Sequence, residues 1–249
     1  MPSRNALVFI GISVIILVSC AAIYAYWQLS ANAAMPAESG ETLFQVAMFN
    51  VFSMGNFDGF FTFGELAKHG DFGIGTFDGL DGEMVALNGV FYQVPYSGQV
   101  LTANYSMKTP YATVTFFEPD QTIHIAGPVN YAELQMRIDE SLPSDSAIYA
   151  VKVSGTFGYA KTRSVPAQTE PYPTLAEVVK NQSTFTFANI SATAVGFWFP
   201  RSMEGVDYVG FHLHLVTDDH LGGGHLLECI VSNVTVELDQ TNRYTLVLP

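Results

Sequence analysis

Residues 210–228 read GFHLHLVTDDHLGGGHLLE and carry four of the six histidines: His212, His214, His220 and His225. The segment VGFHLHLV alternates. On a β-strand, side chains two residues apart point the same way, so His212 and His214 share one face while Phe211, Leu213 and Leu215 share the other. Two imidazoles on one face can reach a single metal ion. After VTDD the pattern predicts a turn, and three glycines then lead into a further strand that His225 opens. Glycines let backbones approach closely and aim the returning strand, which brings His225 beside the pair as a third ligand. Three histidines plus a water form an open, catalytic-type zinc site; a closed structural site takes four protein ligands, usually with thiolates. His220 follows Asp218 and Asp219 at the turn and reads as solvated. His69, in AKHGDFG, reads as a loop or helix-end residue, and His124, in TIHIAG, as a structural residue among apolar neighbours.

Working outward from this stretch, the same strand pattern dominates. STFTFANI, ATAVGFWFP, HLLECIVSNVTVEL and RYTLVL read as strands with few helices between them. Upstream, EMVALNGVFYQV is two apolar runs joined by Asn88-Gly89, a type I′ hairpin signal. YATVTFFEP and AIYAVKVSGTFGYA also read as strands. Three segments read as helices. ETLFQVAMFNVFSMG is expected to stop at Gly55. NYAELQMRIDESL has Asn130 and Glu133 at capping-box spacing, with Leu134, Ile138 and Leu142 on one face. PTLAEVVKNQ has Thr174 and Glu177 at the same spacing. The expected fold is α+β: mixed and antiparallel β-sheets in two closely packed subdomains, with a β-rich C-terminal half carrying the three-histidine metal site. The parts are placed at about residues 41–145 and 146–249.

The chain of 249 residues is 49% hydrophobic, which supports a sizeable core. Its 10 lysines and arginines face 23 acids, for a formal net charge of −13. Such a surface repels polyanions and excludes nucleic acid as a partner. The scarcity of cations makes each arginine a candidate anion ligand. Cys20 lies in the N-terminal apolar run, so Cys229 is left unpaired, as a small buried strand residue. N-x-S/T sequons stand at Asn104, Asn181, Asn189 and Asn233.

Residues 1–40 read as an export or anchoring segment. Arg4 is followed by an apolar run from Ala6 to Trp27, long enough to span a bilayer. It fits a cleaved signal peptide with Ala31-Asn32-Ala33 as the cleavage site. It also fits an uncleaved anchor ending in Tyr24, Tyr26 and Trp27, or a lipoprotein site at LVSC, ending in Cys20. Each reading puts the main domain outside the cytoplasm, secreted or tethered, with membrane contact only through this segment.

From Leu43 to Pro249 the chain resembles the α-acetolactate decarboxylases. The resemblance runs through HGDFGIGTFDGLDGEM, KTPYATVTFFEP, YAVKVSGTFGYAKTRSVPAQTEPYP, GFHLHLVTDD and GGHLLE, in the family's order and spacing. It implies a two-part structure of mixed sheets, a homodimer, one zinc ion, and conversion of 2-acetolactate to acetoin and carbon dioxide. It implies that His212, His214 and His225 are the zinc ligands, leaving His220 outside. It places the family's catalytic glutamate on Glu83, its catalytic arginine on Arg163 and an active-site threonine on Thr76. Taken alone, Glu83 reads as a solvated turn residue, Arg163 as a surface charge in a proline-rich loop, and Thr76 as a strand or turn hydroxyl. Glu65 reads as a helix-start charge. Some family members bring a further glutamate from a C-terminal tail. This sequence ends in YTLVLP, so the resemblance leaves that role to water or another group.

These residue types suit the chemistry. Decarboxylation of a 2-hydroxy-3-keto acid leaves an enediolate, negative on oxygen. A zinc ion stabilises that charge as a Lewis acid, and a guanidinium holds first the carboxylate and then the developing oxyanion. A carboxyl group in a partly desolvated pocket carries the proton that completes acetoin. The alternatives are a catalytically inactive metal-binding or structural domain at the cell surface, and a cupin-like three-histidine metalloenzyme. The second rests on the H-x-H pair alone.

Overall fold

The computed structural model describes residues 41–249. The N-terminal apolar run, its processing motifs and Cys20 lie outside the described residues. Among the described residues no helix is long and apolar enough to cross a membrane.

In chain order the first strands are β1 (Thr42–Val46), β2 (Phe61–Thr62), β3 (Phe72–Thr76), β4 (Glu83–Leu87) and β5 (Val90–Val94). β6 (Leu101–Thr102), β7 (Lys108–Thr109), β8 (Ala112–Thr115) and β9 (Gln121–Asn130) follow. The remainder are β10 (Ile148–Ser164), β11 (Ser183–Phe199), β12 (Gly210–Thr217), β13 (Gly223–Thr241) and β14 (Arg243–Val247). A seven-stranded sheet runs β14-β1-β8-β3-β4-β5-β6, and a five-stranded sheet runs β10-β11-β12-β13-β9. β10 also pairs with β13, so four strands of the second sheet close on themselves. β2 and β7 form a separate pair. The chain crosses between sheets twice: β9 belongs to the second sheet and β14 returns to the first.

Burial explains the layers. Leu43, Phe72, Ile74 and Val85 of the first sheet pack against Ala150, Val195, Phe197 and Val216 of the second. The opposite face of the first sheet is covered by Phe63 and Leu66, from the short helix Phe63–Leu66. Within the second sheet, Val151, Val153, Leu213, Leu215 and Val236 form another core, closed by Leu134 and Ile138 of the helix Tyr131–Asp139. That helix starts as expected, with the Asn130 side chain accepting the Glu133 N–H at 3.0 Å. Asn88 and Gly89 take φ of 53° and 76°, the left-handed pair that a type I′ turn requires.

Some local expectations are corrected. Residues 42–46 are a strand, not the start of a helix: all five are buried between β14 and β8, and double-sided burial in a sheet outweighs helical periodicity. Ala47, at φ 61°, breaks the chain direction, and only Phe49–Ser53 is helical, stopping before Gly55. The helix Leu175–Val178 starts at Thr174 with no side-chain cap. STFTFANI and ATAVGFWFP are one strand, β11, with Asn189 left-handed midway.

Gly196 lets β12 lie tight against β11. A Cβ there would stand 1.9 Å from the His212 carbonyl oxygen. Gly196→Ala is expected to lower Tm by roughly 5 °C or more, as overpacking does. Calorimetry on the purified variant checks this, and an unchanged Tm contradicts the tight pairing.

Candidate active site

Register, rather than chain proximity, assembles the site. In the second sheet His214 pairs with His225, and His225 with Arg163. Residues directly opposite in antiparallel strands project to the same face, so Arg163, His225 and His214 form a row across β10, β13 and β12. His212, two residues before His214, extends the row. In the first sheet Thr76 pairs with Glu83 at the end of β3 and β4. The two groups meet at a cavity of about 210 Å³ lined by all six residues.

The close approach of β13 depends on Gly224. It holds φ 120°, and a Cβ there would stand 2.3 Å from the Arg163 carbonyl oxygen. Only glycine takes that backbone without strain at that distance.

One ring nitrogen from each of His212, His214 and His225 lies within 4.8 Å of the others. The ring centroids are 5.0–5.3 Å apart. His214 Nδ1 donates to the Met84 carbonyl at 2.7 Å. A carbonyl only accepts, so this bond puts the proton on Nδ1 and leaves the Nε2 lone pair free. His214 Nε2, His212 Nδ1 and His225 Nδ1 are buried without hydrogen-bond partners. Orphaned nitrogens are costly unless a ligand meets them. Burial holds the His212 and His225 rings well below the ordinary imidazole value, helped by His214 at His212 and by Arg163 at His225. It lowers His214 too, against the opposing pull of Glu83. Neutral rings with free lone pairs are what a metal ion needs, and the triad can hold one.

The Glu83 carboxylate bridges the two groups. Its Oε1 lies 3.6 Å from Arg163 Nη1 and its Oε2 lies 3.5 Å from His214 Nε2. Two expectations from isolated residues are corrected here. Glu83 is the first residue of β4 and is buried, not a solvated turn residue. Arg163 is the penultimate residue of β10, with its side chain only 14% exposed, not a loop surface charge. Thr76 is buried and donates to the Gly82 carbonyl at 2.6 Å, fastening the turn that delivers Glu83.

His220 stays outside, exposed at the turn with its ring stacked on Tyr92. His69 stacks on Phe44 at 3.8 Å. His124 is exposed on β9, where its Nδ1 lies 3.2 Å from Thr235 Oγ1.

A model of the family described as alpha-acetolactate decarboxylase matches residues 43–249. The chain belongs to the alpha-acetolactate decarboxylase family. An alpha-acetolactate decarboxylase of Methanosarcina mazei is 43% identical over 211 residues, 85% of this chain and 73% of that one. One from Methylococcus capsulatus is 38% identical over 207 residues, 83% and 80% of the two chains. The crystal structure of alpha-acetolactate decarboxylase from Bacillus subtilis strain 168 superposes with a TM-score of 0.82 at 35% identity, covering 84% of this chain and 89% of that one. Family membership makes this protein a carbon–carbon lyase.

One part of the decarboxylase cavity escapes sequence reasoning. Phe49, Phe52, Tyr111 and Tyr208 line it as well. Behind them lies Asp207, buried, which accepts the Tyr111 hydroxyl and the Tyr208 N–H, each at 2.6 Å, and the Thr113 hydroxyl at 3.2 Å. The available signal was a lone acid among apolar residues in GVDYVGF, just before the histidine strand.

Burial pushes the Asp207 carboxyl up to about 7, against the downward pull of its three hydrogen bonds. A folded value above the ordinary 3.8 means that its contribution to stability is full below about pH 4 and lost as the pH rises through about 7. The Tm of Asp207→Asn minus that of wild type is therefore expected to increase between about pH 4 and pH 8. Thermal melts across that range check it, and a flat or shrinking difference contradicts it.

Proposed function

We propose that the protein catalyses zinc-dependent decarboxylation of 2-acetolactate to acetoin and carbon dioxide. The observation that carries the reading is one cavity holding three orphaned imidazole nitrogens beside a buried Glu83–Arg163 pair. The names of the curated relatives supply the substrate. Three neutral imidazoles with no thiolate suit zinc at an open site.

Zinc held by His212, His214 and His225 would supply a Lewis acid for the oxygens of the substrate's neighbouring hydroxyl and ketone groups. The remaining work falls to the chain. Arg163, nearly desolvated, binds the substrate carboxylate and orients it. The bond from the hydroxyl-bearing carbon to the carboxylate breaks, and its electron pair moves towards the ketone oxygen as carbon dioxide leaves. Arg163 stays in place to stabilise the resulting enediolate. Glu83 takes up a proton from solvent and passes it to the carbon that lost the carboxylate, completing acetoin and returning Glu83 to the carboxylate. Thr76 acts through the turn: its bond to the Gly82 carbonyl holds Glu83 in line. Leu80, Val165 and Leu175 add apolar lining to the same cavity.

Two histidine variants test the ligand assignment. His225→Ala is expected to lose metal and acetoin release together, whereas His220→Ala keeps both. Retained activity and zinc in His225→Ala would sink the assignment. Glu83→Gln is expected to keep the metal while kcat falls by about 100-fold or more. A wild-type kcat in that variant removes Glu83 from proton delivery.

A further inference from the structure

The proposed chemistry leaves Asp207 unused, although it is the most demanding group near the cavity. It is 2% exposed, and among the described residues no cation pairs with it. A buried carboxylate held only by neutral donors is costly, so its hydrogen bonds matter. They run to two cavity walls from different parts of the chain. Tyr111 immediately precedes β8 in the first sheet, and Tyr208 lies in the loop leading to β12 in the second. The loop is held besides by Gln45, fully buried, whose Nε2 donates to the Val206 carbonyl at 2.8 Å.

The Tyr111 ring, held by its hydroxyl, and the ring of Tyr208, whose backbone N–H is held, belong to one continuous surface. Tyr111 stacks on Phe52 at 4.8 Å and meets Phe49 edge-on at 5.8 Å. Phe49 meets Tyr208 edge-on at 5.9 Å, and Tyr208 lies 5.5 Å from the His212 ring. An aromatic wall therefore ends against a proposed metal ligand. A substrate whose oxygens face the histidines and whose carboxylate faces Arg163 must place its alkyl groups elsewhere, and this wall is the apolar surface that adjoins the histidines.

We infer that Asp207 is a positioning residue which, through the Tyr111 hydroxyl and the Tyr208 backbone, fixes the aromatic wall that limits the alkyl substituent accepted on the hydroxyl-bearing carbon. The inference rests on the decarboxylase reading. Asp207 touches no substrate. It sets the distance between the Phe49–Tyr111–Tyr208 surface and the reacting carbon, and so the space left for one methylene more.

The test compares kcat/KM of the full chain, loaded with zinc, for 2-acetolactate and for the homologue with ethyl in place of methyl on the hydroxyl-bearing carbon. Asp207→Ala is expected to shift the methyl-to-ethyl ratio towards ethyl by about tenfold, the low end of what a methylene is worth in an apolar pocket. Asp207→Asn can still accept from both Tyr111 and Tyr208, and is expected to keep the wild-type ratio. Tyr111→Phe retains the buried ring and removes only the O–H, so it decides the question if Asp207→Ala does not accumulate. Its expected shift is about threefold in the same direction. A merely structural role would lower Tm and both rates together, and an unchanged ratio in Tyr111→Phe and Asp207→Ala overturns the inference. So does Asp207→Asn losing selectivity as far as Asp207→Ala does. Wild-type protein that turns over neither substrate overturns the decarboxylase reading, and the inference with it.

Discussion

The hydrogen bond from His214 Nδ1 to the Met84 carbonyl is the constraint on which the site depends. It joins the two sheets at the point where their functional residues meet. By occupying Nδ1 it fixes the tautomer and turns the Nε2 lone pair towards His212 and His225. The same carbonyl follows Glu83 by one residue, so the bond that orients the imidazole also sets the distance to the carboxylate. A proposed metal ligand and a proposed proton carrier are thus placed by one backbone atom.

The second sheet supplies the rest by closing on itself. With β10 paired to both β11 and β13, Arg163 comes level with His225, and His225 with His214. Rigid strands hold such a row better than loops would, and an electrostatic site gains from not having to reorganise. The cost is visible in the buried rings. Desolvation keeps three imidazoles neutral and leaves three nitrogens without partners. A bound ion would meet those lone pairs, and in the proposed site metal binding would then add to the stability of the fold.

Part of this was legible in the sequence. The H-x-H alternation and the glycine-framed return identified His212, His214 and His225, because period two is a local property of strands. The Asn88-Gly89 turn and the Asn130 cap were legible for the same reason. β1 was not. TLFQV carries no alternation because both of its faces are buried, and its β14 partner lies some two hundred residues away. Glu83 and Arg163 stood out only through the family resemblance, since nothing local says that a residue beside a turn or a proline will be buried. Asp207 and Tyr111 were missed altogether. Their bond spans 96 residues and two sheets, and its meaning is tertiary.

The central claim is that these three nitrogens hold the ion on which decarboxylation depends. Its most direct test is zinc content and acetoin release measured on the same sample, as zinc is chelated away and then restored. One zinc per chain is expected, with acetoin release falling and recovering in proportion to bound zinc. Full turnover of 2-acetolactate in thoroughly metal-free protein would contradict it.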